Sequence, residues 1–383
     1  MQDLTREAIT TLLASESSEP KVTVYTPMHT SASPPHMTEN QIRFKNLIHK
    51  AQAQLKEQGN ADKLVEQLET EIEKRMGQSD FWESQTEGLL ICAQSDNIQL
   101  FHLPIDTEEY VAIDTCYHLA PVLALLEDEQ SFYVLLVTQH QPQLLAGSMY
   151  GLCQMEVDLP ADLDSALGID ERNQVSQHTQ AKGTDVSFNG RGGGQDPREN
   201  ERLRFFRLID SIVVGATEHN LPLILAGTDS DLAEYRSISK HHSILRSSIS
   251  GSVNPAKAQH ELYEPAYKIV QDELISTRRL RAIEHFGHLK GTRKDRIAED
   301  PLEIAQAAKE GRIETLLITL KRNTTDTIRD TAKSVDRITF PKGEVGALIN
   351  KAANAVANAS GRIVNLDIDA VTGRTPMMAV LRY

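Results

Sequence analysis

No apolar run in this chain is longer than a β-strand, and the strongest of them, Phe132 to Thr138, has strand length. A membrane-spanning helix needs roughly 18 such residues in succession, so this chain must bury its apolar side chains by packing short elements on one another. Between the runs lie segments whose apolar residues recur every three or four positions, the period of a helix with one buried face. Strands are predicted at Lys21 to Tyr25, Gly88 to Cys92, Ile98 to Leu103 and Tyr110 to Ile113. After a Ser/Pro-rich loop through Pro34-Pro35, two helices are predicted from Phe44, Leu47, Ile48, Ala51 and Leu55, then from Leu64, Leu68, Ile72 and Met76.

Three closely spaced runs, Phe132 to Thr138, Gln143 to Met149 and Leu152 to Val157, predict an antiparallel meander. Leu221 to Ala226 reads as a buried strand, and Tyr267, Val270 and Leu274 open another helix. Toward the end, Leu302 to Ala308 and Val345 to Ala357 read as helices, and Ile313 to Leu320, Arg362 to Leu366 and Met377 to Leu381 as strands. Such alternation belongs to the α/β (α+β) class. At about 100–200 residues per domain, the chain divides into three small mixed α/β domains, at residues 1–128, 129–265 and 266–383.

One stretch breaks the pattern. From Pro160 to Gly194 the apolar periodicity fails and polar residues and glycine take over, as in a functional or disordered loop. It ends at a strong helix start: Asp196 can cap, Pro197 suits the first helical position, and Glu199 stands three residues after the cap. Leu203, Phe206, Ile209, Val213 and Ala216 then mark an amphipathic helix. The segment Gly190-Arg191-Gly192-Gly193-Gly194-Gln195-Asp196, within a glycine-rich loop over 183–195, is therefore mounted on a helix N-terminus. Its backbone can approach a phosphate or a crowded RNA wall closely, with the helix dipole and its arginines behind it.

Charge sharpens the expectation. The chain carries a net charge of −14, which argues against indiscriminate nucleic-acid binding. Residues 1–128 hold 21 acidic and 9 basic side chains, a net of −12, so the remainder is almost balanced. Within it, Lys268 to Arg296 forms a basic stripe that includes Arg278, Arg279, Arg281, Arg293 and Lys294. A second basic cluster, Arg198, Arg202, Arg204 and Arg207, follows the glycines. A hydrophobic content of 40% and charged residues at 25% exclude a fibrous or wholly disordered chain. The three cysteines, Cys92, Cys116 and Cys153, lie far apart in apolar surroundings and read as reduced core thiols, neither a disulfide framework nor a zinc site. The pairs His241-His242 and His285/His288 lack converging ligands, and no P-loop or Gly-x-Ser-x-Gly elbow is present, so no metal and no cofactor is expected. The first residues lack the basic and apolar regions of a secretory leader, which makes a cytoplasmic protein the expectation. The single Trp82 is expected in the core.

The glycine segment resembles that of the archaeo-eukaryotic release factor and Pelota superfamily, whose middle domain bears a Gly-Arg-Gly-Gly-Gln loop and then a helix with an Arg-Phe-x-Arg pattern. Gly193, Gly194 and Gln195 match the first motif, and Arg204, Phe205 and Arg207 the second. Leu4-Thr5-Arg6-Glu7, Arg43-Phe44-Lys45-Asn46-Leu47, Phe81-Trp82 and Glu87-Gly88-Leu89 resemble its bacterial branch, and Ala307 to Leu317 the entry to its C-terminal domain. Within that branch the chain is most similar to the Balon-type ribosome hibernation factors. Two departures stand out: one extra glycine between Arg191 and Gln195, and Asp196 where the eukaryotic factors have a small hydroxyl residue. No Asn-Ile-Lys-Ser codon-reading motif is found in the first domain.

The resemblance implies a tRNA-like arrangement on the bacterial ribosome. The first domain would lie toward the decoding centre, the second toward the peptidyl-transferase centre, and the third would bind a translational GTPase, elongation factor EF-Tu. The rRNA-binding set would be Arg191, Gly192, Gly193, Gly194, Gln195, Arg198, Arg202, Arg278, Arg279, Arg281, Arg293 and Lys294. Three readings follow. The favoured one is occupation of the A site of idle ribosomes, without enzymatic activity. The second is peptide release or rescue, in which Gln195 positions water against the peptidyl-tRNA ester. The third is a non-ribosomal α/β protein whose glycines form a linker.

Overall fold

The computed structural model describes residues 2–15, 19–59, 61–95, 97–163, 197–320, 322–324, 336–338, 340, 343–366 and 376–383. They form two compact units, one from Met1–Asp128 together with Arg278–Tyr383, the other from Glu129–Thr277. Both mix helices with β-sheets.

The first segment of the discontinuous unit runs β1 (Gln2–Asp3), α1 (Arg6–Leu13), β2 (Lys21–Pro27), α2 (Pro34–Gln58), α3 (Asp62–Met76), α4 (Ser79–Glu83), β3 (Gly88–Gln94), β4 (Asn97–Leu103), β5 (Asp106–Thr107), β6 (Tyr110–Asp114) and α5 (Ala120–Asp128). A five-stranded sheet in the order β1-β4-β3-β2-β6 is antiparallel except for the short β1–β4 pairing. Phe44, Leu47, Ile48, Leu64, Leu68 and Trp82 from the helices cluster with Val22, Val24, Leu89 and Ile91 from the strands. Trp82 is in the core, and its indole N–H donates to the Arg75 carbonyl at 2.8 Å. Helix α2 starts at Pro34, so the prolines expected in a loop open the helix, where a preset φ and a missing N–H are no handicap.

The continuous unit runs β7 (Phe132–Val137), β8 (Gln143–Ser148), β9 (Gly151–Gln154), α6 (Pro197–Ala216), β10 (Leu223–Gly227), α7 (Asp229–Ile238), β11 (Ile244–Ser250) and α8 (Ala258–Val270). Its sheet has the order β11-β10-β7-β8-β9. The antiparallel meander β7-β8-β9 is continued by β10 and β11, both running parallel to β7. Alternate residues of β7 serve two cores, which explains its unbroken apolar run. Tyr133, Leu135 and Val137 cluster with Phe205, Phe206, Ile209 and Val213 of α6, and Phe132, Val134 and Leu136 with Leu262, Ala266 and Val270 of α8. At the end of β10, Gly227 adopts φ +152°, and a Cβ there would collide with the Val137 carbonyl, so a side chain is excluded where these two strands run side by side.

A π turn, Gln271–Ile275, follows α8 directly and leads into α9 (Ser276–Thr292). The helix expected from Tyr267 thus starts nine residues earlier, at Ala258, and continues through Pro265. Then come β12 (Ile297–Ala298), α10 (Pro301–Lys309), β13 (Ile313–Ile318), β14 (Arg322–Thr324), β15 (Asp336–Ile338), α11 (Gly343–Asn358), β16 (Arg362–Asn365) and β17 (Met377–Leu381). The sheet β12-β17-β13-β16 receives Phe286 and Leu289 of α9 on Leu317, Val364 and Val380. Asp300 caps α10, its carboxylate accepting from the Leu302 and Glu303 N–H groups at 3.0 and 3.1 Å.

This second segment is tied to the first by specific contacts. Asn350 of α11 accepts from the Ala120 N–H at 3.0 Å, and Asn354 donates to the Tyr117 carbonyl at 2.8 Å. The Phe340 ring stacks on Tyr110 with centroids 4.4 Å apart, and strand β15 pairs in parallel with β5.

Among the cysteines, Cys92 is buried in β3 and Cys116 half-buried, but Cys153 is exposed on β9, so it is no core thiol. Among the described residues β9 is the last strand of its sheet. No helix among the described residues is long and apolar enough to cross a membrane.

Candidate nucleic-acid interface

The glycine segment, with Arg191, Gly192, Gly193, Gly194 and Gln195, lies outside the described residues, as does the side chain of Arg198. What the structure places is the helix on which that segment is mounted. Helix α6 presents its residues to two environments. Phe205 and Phe206 are both fully buried, and Ile209 and Val213 continue the same face onto the sheet. Arg204 and Arg207 are exposed. They stand three residues apart, hence on one face of the helix, and on the side away from the core.

Arg202 behaves differently. It is in helical phase with Phe206 and Ile209, and it forms an ion pair with Glu234 of α7; the two side chains are 27% and 19% exposed. Two turns farther along, Asp210 is buried and accepts from the Tyr235 hydroxyl at 3.0 Å, the Ser239 hydroxyl at 2.5 Å and the Lys240 N–H at 2.9 Å. Burial first, and then the Asp210 carboxylate, push the Tyr235 phenol well above its ordinary pKa, so it stays a donor. Helix α6 is thereby fastened to α7 at two levels, about 12 Å apart at 1.5 Å per residue.

The stripe in α9 and beyond divides likewise. Arg278 donates to the Glu127 carbonyl at 2.9 Å, and Arg279, 8% exposed, pairs with Asp128. Both are turned to the protein and hold the end of α5. Arg281 and Lys294 are exposed. Arg293 is exposed too, with its guanidinium on both carboxylate oxygens of Asp295 at 3.1 and 2.9 Å. Arg296 reaches Glu314 at 3.1 Å and the Leu381 carbonyl at 2.7 Å.

The histidine pairs resolve into separate roles. His285 and His288 are exposed on α9. His241 is buried, its Nδ1 accepting from the Ser243 N–H at 3.2 Å, and burial holds its pKa below the ordinary value. Among the described residues no group of three or more His, Cys, Asp or Glu is placed to hold a metal ion.

Two kinds of residue that shape the described part of α6 lie outside the expected set. Arg204 and Arg207 were matched to a pattern without being assigned to it, although their position out of phase with Phe206, Ile209 and Val213 already marks them as outward. Glu234 had no sequence signal of its own, because α7 carries only Leu232 and Tyr235 as buried apolar residues and was not read as a helix.

No curated protein sequence matches the chain. Solved structures similar to it include an archaeal translation termination factor, aRF1, at 11% identity, covering 98% of this chain and 97% of that one with a TM-score of 0.21. Ribosome-bound archaeal Pelota is similar at 12% identity over 77% of each chain, with a TM-score of 0.40. Pelota of Archaeoglobus fulgidus is similar at 14% identity over 77% of this chain and 79% of that one, with a TM-score of 0.34. The sequence match is to a family model: residues 131–312, which contain the meander, the glycine segment and helices α6 to α10, match bacterial archaeo-eukaryotic release factor family 3. That match makes residues 131–312 similar to the bacterial archaeo-eukaryotic release factors.

Proposed function

We propose that the chain is a ribosome-binding translation factor that occupies the A site of idle ribosomes. The observation that carries the reading is the family match over residues 131–312, within which the Gly-Arg-Gly-Gly-Gly-Gln segment is continuous in sequence with a helix that turns Arg204 and Arg207 outward. Backbone N–H groups of glycines and outward arginines are the chemistry that meets phosphate oxygens. On this reading the continuous unit reaches the peptidyl-transferase centre, residues 1–128 lie toward the decoding centre, and the last segment meets a translational GTPase, EF-Tu, all in the cytoplasm. The acidity of residues 1–128 and their lack of an Asn-Ile-Lys-Ser motif support binding that ignores the codon.

The departures in the loop favour occupancy over hydrolysis. One extra glycine changes the distance from Arg191 to Gln195, and Asp196 sets a carboxylate beside the glutamine. A second reading, peptide release or rescue, is favoured by Gly193-Gly194-Gln195 itself. The test is to add the protein in excess to ribosomes carrying labelled peptidyl-tRNA and to follow both co-sedimentation and the ester. Binding with an intact ester and a blocked A site is the expected result. Rapid release of peptide replaces the reading with rescue, and failure to co-sediment leaves a non-ribosomal protein.

A further inference from the structure

Helix α6 is anchored near its start by Arg202. Its partner Glu234 sits on α7, itself a fixed platform: Thr228 caps it, Asp231 accepts from Gln139, and Arg236 donates to the Leu245 and Arg246 carbonyls at 2.8 and 2.9 Å.

We infer that Glu234 is a positioning residue for the start of α6: it holds Arg202, and with it the first turns of that helix, so that Arg202 serves inside the protein and does not contact RNA. Three observations carry this. The pair is mostly buried on both sides. The Arg202 Nε and the Glu234 Oε2 are buried with no hydrogen-bond partner, so the two groups depend on each other for compensation of their charge. Arg202 is in phase with Phe206, Ile209 and Val213, whereas Arg204 and Arg207 are not. A phosphate that took Arg202 would strand the Glu234 carboxylate in a buried position, a step that disfavours such contact.

The inference rests on the ribosome-binding reading for its functional consequence, but not for its structural content, so it is tested at both levels with the full chain. The first measurement is amide hydrogen exchange in Glu234→Gln. The expected result is exchange about tenfold faster at residues 201–206, with residues 209–216, held by Asp210, unchanged. Equal protection throughout overturns the brace, whatever the ribosome experiments show.

The second measurement is affinity for vacant ribosomes as a function of salt. Glu234→Ala and Arg202→Ala are expected to lower affinity by the same factor, about tenfold, with an unchanged salt slope, and the double variant to be no worse than either single one. The exchange of charges, Arg202→Glu with Glu234→Arg, is expected to recover most of the affinity. If Glu234→Ala leaves affinity intact or raises it while Arg202→Ala weakens binding and lowers the salt slope by about 1, Arg202 is a phosphate ligand and the inference is wrong. Where an alanine variant fails to fold, Glu234→Gln and the exchanged pair carry the same comparison. Absence of binding by the unaltered protein defeats the ribosome reading alone, since hydrogen exchange still decides the brace.

Discussion

Helices α6 and α9 carry arginines at similar density, yet each divides them between the interior and the solvent. In α6, Arg202 turns in to Glu234 while Arg204 and Arg207 turn out. In α9, Arg278 and Arg279 turn in to Glu127 and Asp128 while Arg281 turns out. The inward arginines of the two helices differ in what they fasten. Arg202 joins two neighbouring helices of a continuous unit, whereas Arg279 closes on a residue 151 positions earlier in the chain. A cluster of positive charge in a sequence is therefore two populations, and helical phase against the apolar stripe separates them. Arg279 falls in line with Ala282, Ile283, Phe286 and Leu289, as Arg202 does with Phe206 and Ile209.

The comparison can be broken by experiment, beginning with the side chains that set the phase. Phe206→Ala is expected to cost about 3–5 kcal/mol by removing a fully buried ring from the α6 core, measured by denaturant unfolding. A cost below 1 kcal/mol would mean that the face assigned to α6 is wrong. Next, Arg279→Ala strands Asp128 and is expected to destabilise the protein by about 2–4 kcal/mol, against about 0.5 kcal/mol or less for Arg281→Ala. Equal costs would erase the distinction between inward and outward arginines.

A smaller stability effect, within about 0.5 kcal/mol, is expected for Arg204→Ala with Arg207→Ala, together with weaker ribosome binding and a salt slope lower by about 2. An unchanged slope would make them ordinary solvated charges.

The smallest effect is on pH dependence. Burial holds both His118, in the discontinuous unit, and His241, in the continuous one, below the ordinary histidine value of 6.5. Their neighbours, Asp114 and Lys351 around the first, Asp210, His219 and His242 around the second, do not reverse that direction. The unfolded chain then takes up protons as the pH falls through about 6.5 before the folded chain does, so stability declines from pH 7 toward pH 5. His118→Gln with His241→Gln is expected to flatten that decline, and a slope unchanged in the double variant would assign it to other groups.

Much of this was legible beforehand. The apolar run at Phe132 announced a strand of the meander, and the Asp196-Pro197 start with the periodicity to Ala216 placed the bounds of α6. What was not legible has physical reasons. Strand β11, Ile-Leu-Arg-Ser-Ser-Ile-Ser, is half polar because it lies at a sheet edge with its exposed positions in water. Helix α7 buries only two apolar side chains and relies on Arg236 and the Asp210 network, which no periodicity reveals. The basic stripe was legible as charge but not as geometry, because the partners of Arg278 and Arg279 lie 151 residues away in sequence.

That separation bears on how the chain is built during synthesis. Helix α5 emerges with Ala120, Val122, Leu123 and Leu126 uncovered, and the α11 and β16 against which it packs come more than 200 residues later. At 5–20 residues per second, about ten to forty seconds pass before those surfaces can meet. The continuous unit, whose sheet and helices all lie between residues 129 and 277, needs no such wait. Vectorial synthesis thus favours completing the continuous unit first, and for that interval it leaves α5 without the α11 and β16 surfaces that cover it in the finished fold.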